Sequence, residues 1–472
     1  MPKEDFGNDH RRQEALQLVA QYEEMQRSHT PAFFDLDSLE HIIEYYENHF
    51  EFDKALEVID IAATQHPFSA TVLCKKAQLL IDRKDFDEAL ELVNKARLLA
   101  PSELDIVLLQ AELFTYLNCY DEAISALHIA LDQYTDPESR LDLLLTIADI
   151  YEISEDEDNA YRYYKKVLKI KPNNEQALSN IDYLVENGKR YADSIKLHNR
   201  IIDRDPYCYL AWYNLGNAYF ALEKYDQAIE AYEFVTAINE KYDLAYRNLG
   251  ECYAKLHQYE RSLQLYMEAL LHAPEPDDEL HYQLAYCHLQ LKQYNRALKE
   301  LECAIDINPN NHEVWFLRGK CWQCIGYSET ALDCYNRALS LDPSNHSYLS
   351  DIANLHFELG NADTALVFYQ YALEKEPNIL SHYENLAYVL AHNQQYAEAQ
   401  IVLQTALHRF DNQADLLAIE AVCQWANGQC SEALLTLTQA MQLSPNAYQA
   451  ALTLLPAMGN SNEVWTVIGT VR

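Results

Sequence analysis

The chain has 472 residues, among them 36 Lys or Arg and 73 Asp or Glu, which gives a formal net charge of −37. Its 49% hydrophobic and 23% charged residues are those of a folding chain, which excludes intrinsic disorder. A carboxylate surplus with no basic block to offset it disfavours phosphate backbones and anionic lipid, so neither nucleic acid nor membrane insertion is expected.

In chain order, the opening stretch MPKEDFGNDHRRQEALQL lacks the basic-then-apolar order of a secretory signal, and no apolar run approaches the ~20 residues of a membrane span. A cytoplasmic protein is expected. The 11 Cys, an odd number scattered through helical patterns, read as small core residues of a reduced compartment. From about Asn8 to Arg27 an amphipathic segment predicts a helix that covers whatever follows it. The length would ordinarily mean about three domains, yet 10 Gly and 14 Pro leave little linker material. From residue 36 onward the reason is visible: the chain repeats. Pro67 and Pro101 stand 34 apart, as do Pro172 and Pro206, Pro309 and Pro343, and Pro343 and Pro377. Small residues keep the same period at Ala55, Ala89, Ala123, Ala160, Ser194, Ala228, Ser262, Ala297, Ala331, Ala365, Ala399 and Ala433. Spacings of 37 before Ala160 and 35 before Ala297 place short insertions near Asp136-Pro137 and Pro274-Glu275-Pro276.

A fixed period of this length signals stacked repeats, none of which buries its apolar face alone. Within YLAWYNLGNAYFAL, apolar residues recur at three- and four-residue intervals, which predicts an amphipathic helix, and a second helix follows in each unit. Gly326, Gly360 and Gly428 suit the left-handed turn between the two, where other units carry Lys-Tyr-Asp or His-Gln-Tyr-Glu. Pairs such as Pro309-Asn310 and Pro343-Ser344 are expected to end one hairpin and cap the next. Ala447 to Leu455, and Glu463 to Val471 after Pro456 and Gly459, are expected to cover the last hairpin.

The unit beginning at Tyr209 supplies Trp212, Leu215, Gly216, Tyr219, Ala228 and Tyr232, and the next supplies Tyr246, Leu249, Gly250, Tyr253, Ser262, Tyr266, Ala269 and Pro274. On these residues the chain resembles the tetratricopeptide repeat (TPR) family. The resemblance implies an all-α, right-handed superhelical α-solenoid of about twelve helix-turn-helix units with terminal capping helices. The expected organisation is a capping helix over 1–35; repeats over 36–69, 70–103, 104–140, 141–174, 175–208, 209–242, 243–277, 278–311, 312–345, 346–379, 380–413 and 414–447; and a capping segment over 448–472. The unit from Glu175 departs from the pattern, with Asp182 where a small residue is usual.

With nearly every residue in the array, a catalytic centre would have to use the repeats themselves, and none is expected. Phosphate-binding glycine loops and His-Glu-x-x-His spacing are missing from the sequence. Cys321 and Cys324, with Cys303 and Cys334, are the most tempting metal set, but buried thiols behave as small hydrophobes and no second ligand pair follows by spacing. His281 and His288, seven apart, lack a third ligand. Glu155-Asp156-Glu157-Asp158 falls at an interhelical turn without the ligand alternation of a calcium loop and reads as a solvated helix start. No cofactor or metal is expected.

The family resemblance further implies that each first helix lines a groove, with positions 2, 5, 9, 12 and 13 of the repeat directed into it. That mapping gives an acidic end at Asp37, Glu40, Glu44 and Glu47, continued by Asp105, Glu112, Asp142, Asp149 and Glu152. An aromatic and mixed-polar portion follows: Tyr213, Asn217, Phe220, Arg247, Glu251, Tyr282, Tyr286, Phe316, Lys320, Asn354, Phe357 and Tyr388. Acids steer a basic segment and aromatics supply contact area with few rotors to freeze, so the expected partner is an extended, basic or aromatic-rich polypeptide; self-association is the competing expectation. Chaperone-binding members of the family are similar to one another in a clamp of Lys, Asn and Arg at positions 5 and 9. Tyr213/Asn217, Arg247/Glu251 and Tyr282/Tyr286 keep only fragments of it, and Glu251 would repel an acidic tail.

Overall fold

The computed structural model describes residues 5–28, 32–345, 347–411 and 413–471. The expected capping and repeat segments also include residues 1–4, 29–31, 346, 412 and 472, which lie outside the described residues. Among the described residues all regular structure is helical, and the chain divides into two compact units, Met1–Glu240 and Lys241–Arg472.

In the first unit, α1 (Asp5–Ser28) precedes α2 (Leu36–Asn48), α3 (Phe52–Gln65), α4 (Ala70–Asp82), α5 (Phe86–Leu99), α6 (Leu104–Tyr116) and α7 (Tyr120–Gln133). It continues through α8 (Pro137–Ile153), α9 (Glu157–Ile170), α10 (Glu175–Asn187), α11 (Tyr191–Ile202), α12 (Tyr209–Ala221) and α13 (Tyr225–Ile238). The second unit contains α14 (Asp243–Lys255), α15 (Tyr259–His272), α16 (Asp278–Gln290), α17 (Tyr294–Ile307), α18 (His312–Ile325), α19 (Ser328–Leu341) and α20 (Ser347–Glu358). There follow α21 (Ala362–Lys375), α22 (Leu380–His392), α23 (Tyr396–Arg409), α24 (Ala414–Ala426), α25 (Cys430–Leu443), α26 (Ala447–Leu454), a 3₁₀ turn (Pro456–Asn460) and α27 (Asn462–Val471). From α2 to α25 each even-numbered helix pairs with the next as an antiparallel hairpin, and within each unit successive hairpins stack in chain order.

Each hairpin turn needs one residue in the left-handed region, so that the following N–H can close on the carbonyl five residues back. Gly326, Gly360 and Gly428 do this at φ of 96°, 79° and 83°. Nine turns use other residues, among them Lys84, Glu155, Lys189 and His257. Asp85 N donates to Leu80 O at 2.8 Å and Gln258 N to Tyr253 O at 2.8 Å, the bonds that hold a side-chain-bearing residue in that region. The caps differ from expectation by one residue. Asn311, not Asn310, accepts from Val314 N, and Asn174 accepts from Ala177 N at 2.8 Å. Asn310 N instead bonds the side chain of Asn308 in the turn that follows the preceding helix.

Close approach of paired helices explains the small residues. Ala55, Ala89, Ala228, Ala331 and Ala433 are fully buried, and Ser262 reaches the same depth because its Oγ donates to Gly250 O at 2.7 Å. A methyl built on Gly216, Gly250 or Gly319 would lie 2.5, 2.8 or 2.5 Å from the ring of Tyr232, Tyr266 or Tyr335. At the matching positions α10 and α11 carry Asp182 and His198 instead, so the unit that departs from the pattern departs at both members of the pair. At the ends, Val19 and Tyr22 of α1 pack with Leu39, Ile42 and Tyr46 of α2, while Tyr448, Met458 and Val464 pack with Val422, Leu437 and Met441.

Candidate binding groove

The residues singled out from the sequence fall into two sets, one in each unit. On α2, Asp37 and Glu44 are exposed and Glu40 and Glu47 half-buried. Burial pushes the Glu47 carboxyl above the usual range, and Lys75 Nζ lies 3.9 Å from Glu44. Beyond them, α4, α6 and α8 flank an open hollow of about 520 Å³ lined by Cys74, Lys75, Gln78, Asp105, Leu108, Leu109, Glu112 and Thr146. Cys74, Gln78, Leu108 and Thr146 were not among the sequence candidates, although Cys74, Gln78 and Leu108 occupy repeat positions 5 and 9. The same mapping extended to every unit would have named them. Burial raises the Cys74 thiol to about 11 and moves Glu112 upward, with Asp82 adding to the second shift.

Farther along this unit the carboxylates meet tyrosine. The Tyr164 hydroxyl lies 2.6 Å from Asp149 Oδ1 and 2.5 Å from Glu152 Oε2, and Asn180 Nδ2 donates to it at 2.7 Å. Burial still pushes Asp149 up. Asp182 is pushed up to about 6, again by burial, although Asn217 Nδ2 donates to it at 2.7 Å. Asn217 is held from both sides, since the Tyr232 hydroxyl donates to its Oδ1 at 2.7 Å. Tyr213 tilts against Tyr232 at 5.8 Å and Phe220 meets Tyr225 edge-on at 5.5 Å.

In the second unit the structure brings Phe316 onto Tyr348, stacked at 4.2 Å, with Lys320 Nζ 4.6 Å above the Phe316 ring and 3.8 Å from Asp351. Tyr286 meets Tyr259 at 6.3 Å, and Phe357 meets Tyr388 at 6.1 Å and His392 at 5.1 Å. Tyr282 is half-buried, and burial holds its hydroxyl protonated well above the ordinary range. Arg247 is committed within the chain, with Nε 3.2 Å from Asp243 and Nη2 2.6 Å from Asp277, and Glu251 sits 3.9 Å from Lys255. Asn354 accepts from the Tyr369 hydroxyl. All of these candidates lie on first helices.

Other sequence candidates resolve locally. Cys321 is buried, and burial raises its thiol to about 12, as for a small core residue. Cys303 and Cys324 are exposed on their helices, which corrects the reading of the cysteines as uniformly core residues. His281 bonds Glu300 at 2.8 Å and His288 bonds Gln293 at 3.0 Å, so the two do not converge. Among the described residues no group of three or more His, Cys, Asp or Glu is placed to hold a metal ion, and no helix is long and apolar enough to cross a membrane. In the acidic run, Asp156 caps α9 by accepting from Asn159 N at 3.1 Å, and Asp158 pairs with Arg190.

Sequence models described as tetratricopeptide repeat match residues 39–103, 141–174, 209–242, 255–321, 312–345 and 368–401, together more than half of the chain. None of the curated proteins compared matches. Among solved structures, the chain is similar to YrrB, titled a TPR protein with an unusual peptide-binding site, at 21% identity over 38% of this chain and 92% of that one, with a TM-score of 0.33. It is also similar to MamA, at 20% identity over 36% and 92%, TM-score 0.33, and to a MamA fragment from Desulfovibrio magneticus RS-1, at 18% identity over 39% and 96%, TM-score 0.33. The matches fall on hairpins with buried small residues at a 34-residue period, left-handed turns and tyrosines packed against helix glycines, and the chain belongs to the tetratricopeptide repeat family.

Proposed function

We propose that the first-helix wall binds an extended polypeptide segment rich in basic and aromatic residues, and that the chain catalyses nothing itself. Repeats of this family make the chain a scaffold for protein–protein interaction in general; the charge and chemistry of the segment are the further step. One observation carries it. Half-buried Glu112, Asp149, Asp182, Glu384 and Glu420 are all pushed up by burial, and among the described residues none has a Lys, Arg or His within 4.0 Å. A partly desolvated carboxylate without a cation is a site where a ligand's Lys or Arg gains more than it would at the open surface. Within the Lys241–Arg472 unit, Tyr286, Phe357 and Tyr388 offer rings for the apolar part of a segment whose cations meet Glu384 and Glu420.

A fluorescein-labelled peptide alternating Arg and Phe is the probe, added to the full chain and followed by anisotropy. Tyr286→Ala with Phe357→Ala leaves the Phe316–Tyr348 stack in place and is expected to weaken binding about tenfold, with affinity also falling as salt rises. Equal binding by this variant, or affinity indifferent to salt, sinks the reading.

Self-association has an observation of its own. Val367, Ile401 and Leu435, spaced by one repeat on α21, α23 and α25, are 63, 66 and 67% exposed. Light scattering distinguishes the two readings, since a wall-binding adaptor keeps one mass across concentrations, whereas an assembly through this stripe gains mass and loses the gain in Ile401→Glu.

A further inference from the structure

Although the chain as a whole is strongly acidic, residues 162–204 hold ten Lys or Arg (Arg162, Lys165, Lys166, Lys169, Lys171, Lys189, Arg190, Lys196, Arg200 and Arg204) against five Asp or Glu. Folding gathers six of them. Arg162, Lys165, Lys166 and Lys169 of α9, with Lys189 and Arg190 of the turn before α11, line a groove of about 950 Å³. Only Asp158 and Asp193 answer them there, leaving a local balance of six cations to two carboxylates. Asp158 holds Arg190, and Asp193 holds Lys165 at 2.6 Å. Among the described residues, Arg162, Lys166, Lys169 and Lys189 have no carboxylate within 4.0 Å. The expectation that the chain has no basic block therefore needs correction: residues 162–171 alone hold five Lys or Arg and no Asp or Glu, and folding adds Lys189 and Arg190 from beyond α10.

The groove is built rather than incidental. Tyr161 and Tyr163 are buried, the Tyr161 hydroxyl donating to Asp193 at 2.8 Å and the Tyr163 hydroxyl lying 3.1 Å from His128 Nε2. Over these fixed rings stand the cations: Lys166 Nζ is 3.5 Å from the Tyr163 centroid, and Lys165 and Arg190 are each 4.9 Å from that of Tyr161. Arg190 Nη1 is buried and bonds nothing while its other amino group holds Asp158. Partial desolvation, and to a lesser degree the neighbouring Arg162, pushes the Lys166 ammonium below its ordinary range.

We propose that this groove docks an extended acidic segment, rich in Asp and Glu, of a partner protein. The shape of the charge selects that occupant. Arg162, Lys166 and Lys169 run along one helix over about 10 Å, too spread for a single phosphate group and matched by about three residues of extended chain. A nucleic acid extends its phosphates well past such a short row, into the field of a chain of net charge −37. The site lies on α9 and α11, second helices of their hairpins, and takes a ligand of opposite charge to the one proposed for the first-helix wall.

The test uses the full chain and a fluorescein-labelled peptide of alternating Asp and Glu with one central Phe. Binding at low salt that weakens as salt rises, and that falls about tenfold or more in Lys166→Glu with Lys169→Glu, is the expected result; both lysines are exposed and circular dichroism checks the fold. Should the double Glu variant not fold, Lys166→Gln with Lys169→Gln carries the test, with a smaller loss expected. The proposal is overturned if the peptide does not bind at low salt, if the charge variants bind it equally, or if inorganic phosphate or a single-stranded oligonucleotide of matched charge binds as tightly. Concentration-dependent mass in the wild type that disappears in the lysine variants would instead assign the groove to a second copy of this chain, and overturns the partner assignment.

Discussion

Asp182→Asn is expected to stabilise the Met1–Glu240 unit by about 3 kcal/mol at about pH 8, a large gain for one atom exchanged. The carboxyl is half-buried on α10, where burial raises it from the ordinary 3.8 to about 6 even though Asn217 donates to it. The folded state thus binds a proton more tightly than the unfolded state, and stability contributed by the protonated form is fully present below pH 3.8 and lost as pH rises through about 6. A rise of about two units corresponds to about 3 kcal/mol once the group is ionised. Asparagine still accepts from Asn217 through Oδ1 and has no charge to desolvate. Hydrogen exchange read on α10 to α12 across pH checks this, and a variant less stable than the wild type at pH 8 refutes it.

His198, the other departure in this hairpin, acts with the opposite sign. It is fully buried, with Nδ1 2.9 Å from the Ser194 carbonyl and Nε2 3.4 Å from Asn214 Nδ2, a neutral ring donating through Nδ1. Burial lowers it from 6.5 to about 4, so its contribution is present above pH 6.5 and lost as pH falls toward 4, again by about 3 kcal/mol. In the wild type the two slopes offset each other between about pH 4 and 6. Asp182→Asn removes one of them, so the variant should show a steeper acid loss than the wild type even while it is more stable at neutral pH.

How much of this was legible in the sequence follows from what each feature depends on. Helical hairpins and their family were readable because Ala228 or Ser262 must be small whatever surrounds it, and YLAWYNLGNAYFAL reads as α12 from its own spacing. The places of the turns were legible with or without glycine, as at His257-Gln258-Tyr259-Glu260 and Glu155, but not that Lys84, Glu155 and His257 themselves take the left-handed geometry, which rests on backbone hydrogen bonds that no composition announces. Asp182 was visible as a misfit but not explicable, since its counterpart His198 was one histidine among 17. Arg247 read as a free groove cation because Asp277, which holds it, follows thirty residues later and past an insertion. The candidate wall could be mapped by position, whereas its unanswered carboxylates required knowing which cations stay away.

Gly319→Ala is expected to destabilise the Lys241–Arg472 unit by about 1–2 kcal/mol, against the usual gain of up to about 1 kcal/mol for that change in a helix. The new methyl would lie 2.5 Å from Tyr335 Cδ1 and Cε1 and 3.2 Å from the Ala331 carbonyl. Tyr335 has no room to yield: it is fully buried, its hydroxyl donates to Gln323 at 2.8 Å, and Phe316 stands 5.1 Å from its ring. The fold itself shows the compensating change. At the same pair of positions Ala285 faces Leu301, Ala387 faces Leu403 and Ala421 faces Leu437, all buried. Ala148 with Tyr164 and Ala353 with Tyr369 show that a hairpin built for it can seat both, which is why the expected loss is moderate rather than complete. In a double-mutant cycle, Tyr335→Leu should therefore cost less in the Gly319→Ala background than in the wild type, with a coupling of about 1 kcal/mol measured by urea denaturation. Additive effects would mean that the ring and the glycine do not constrain one another, and that the small residue on the first helix is there for some reason other than the tyrosine facing it.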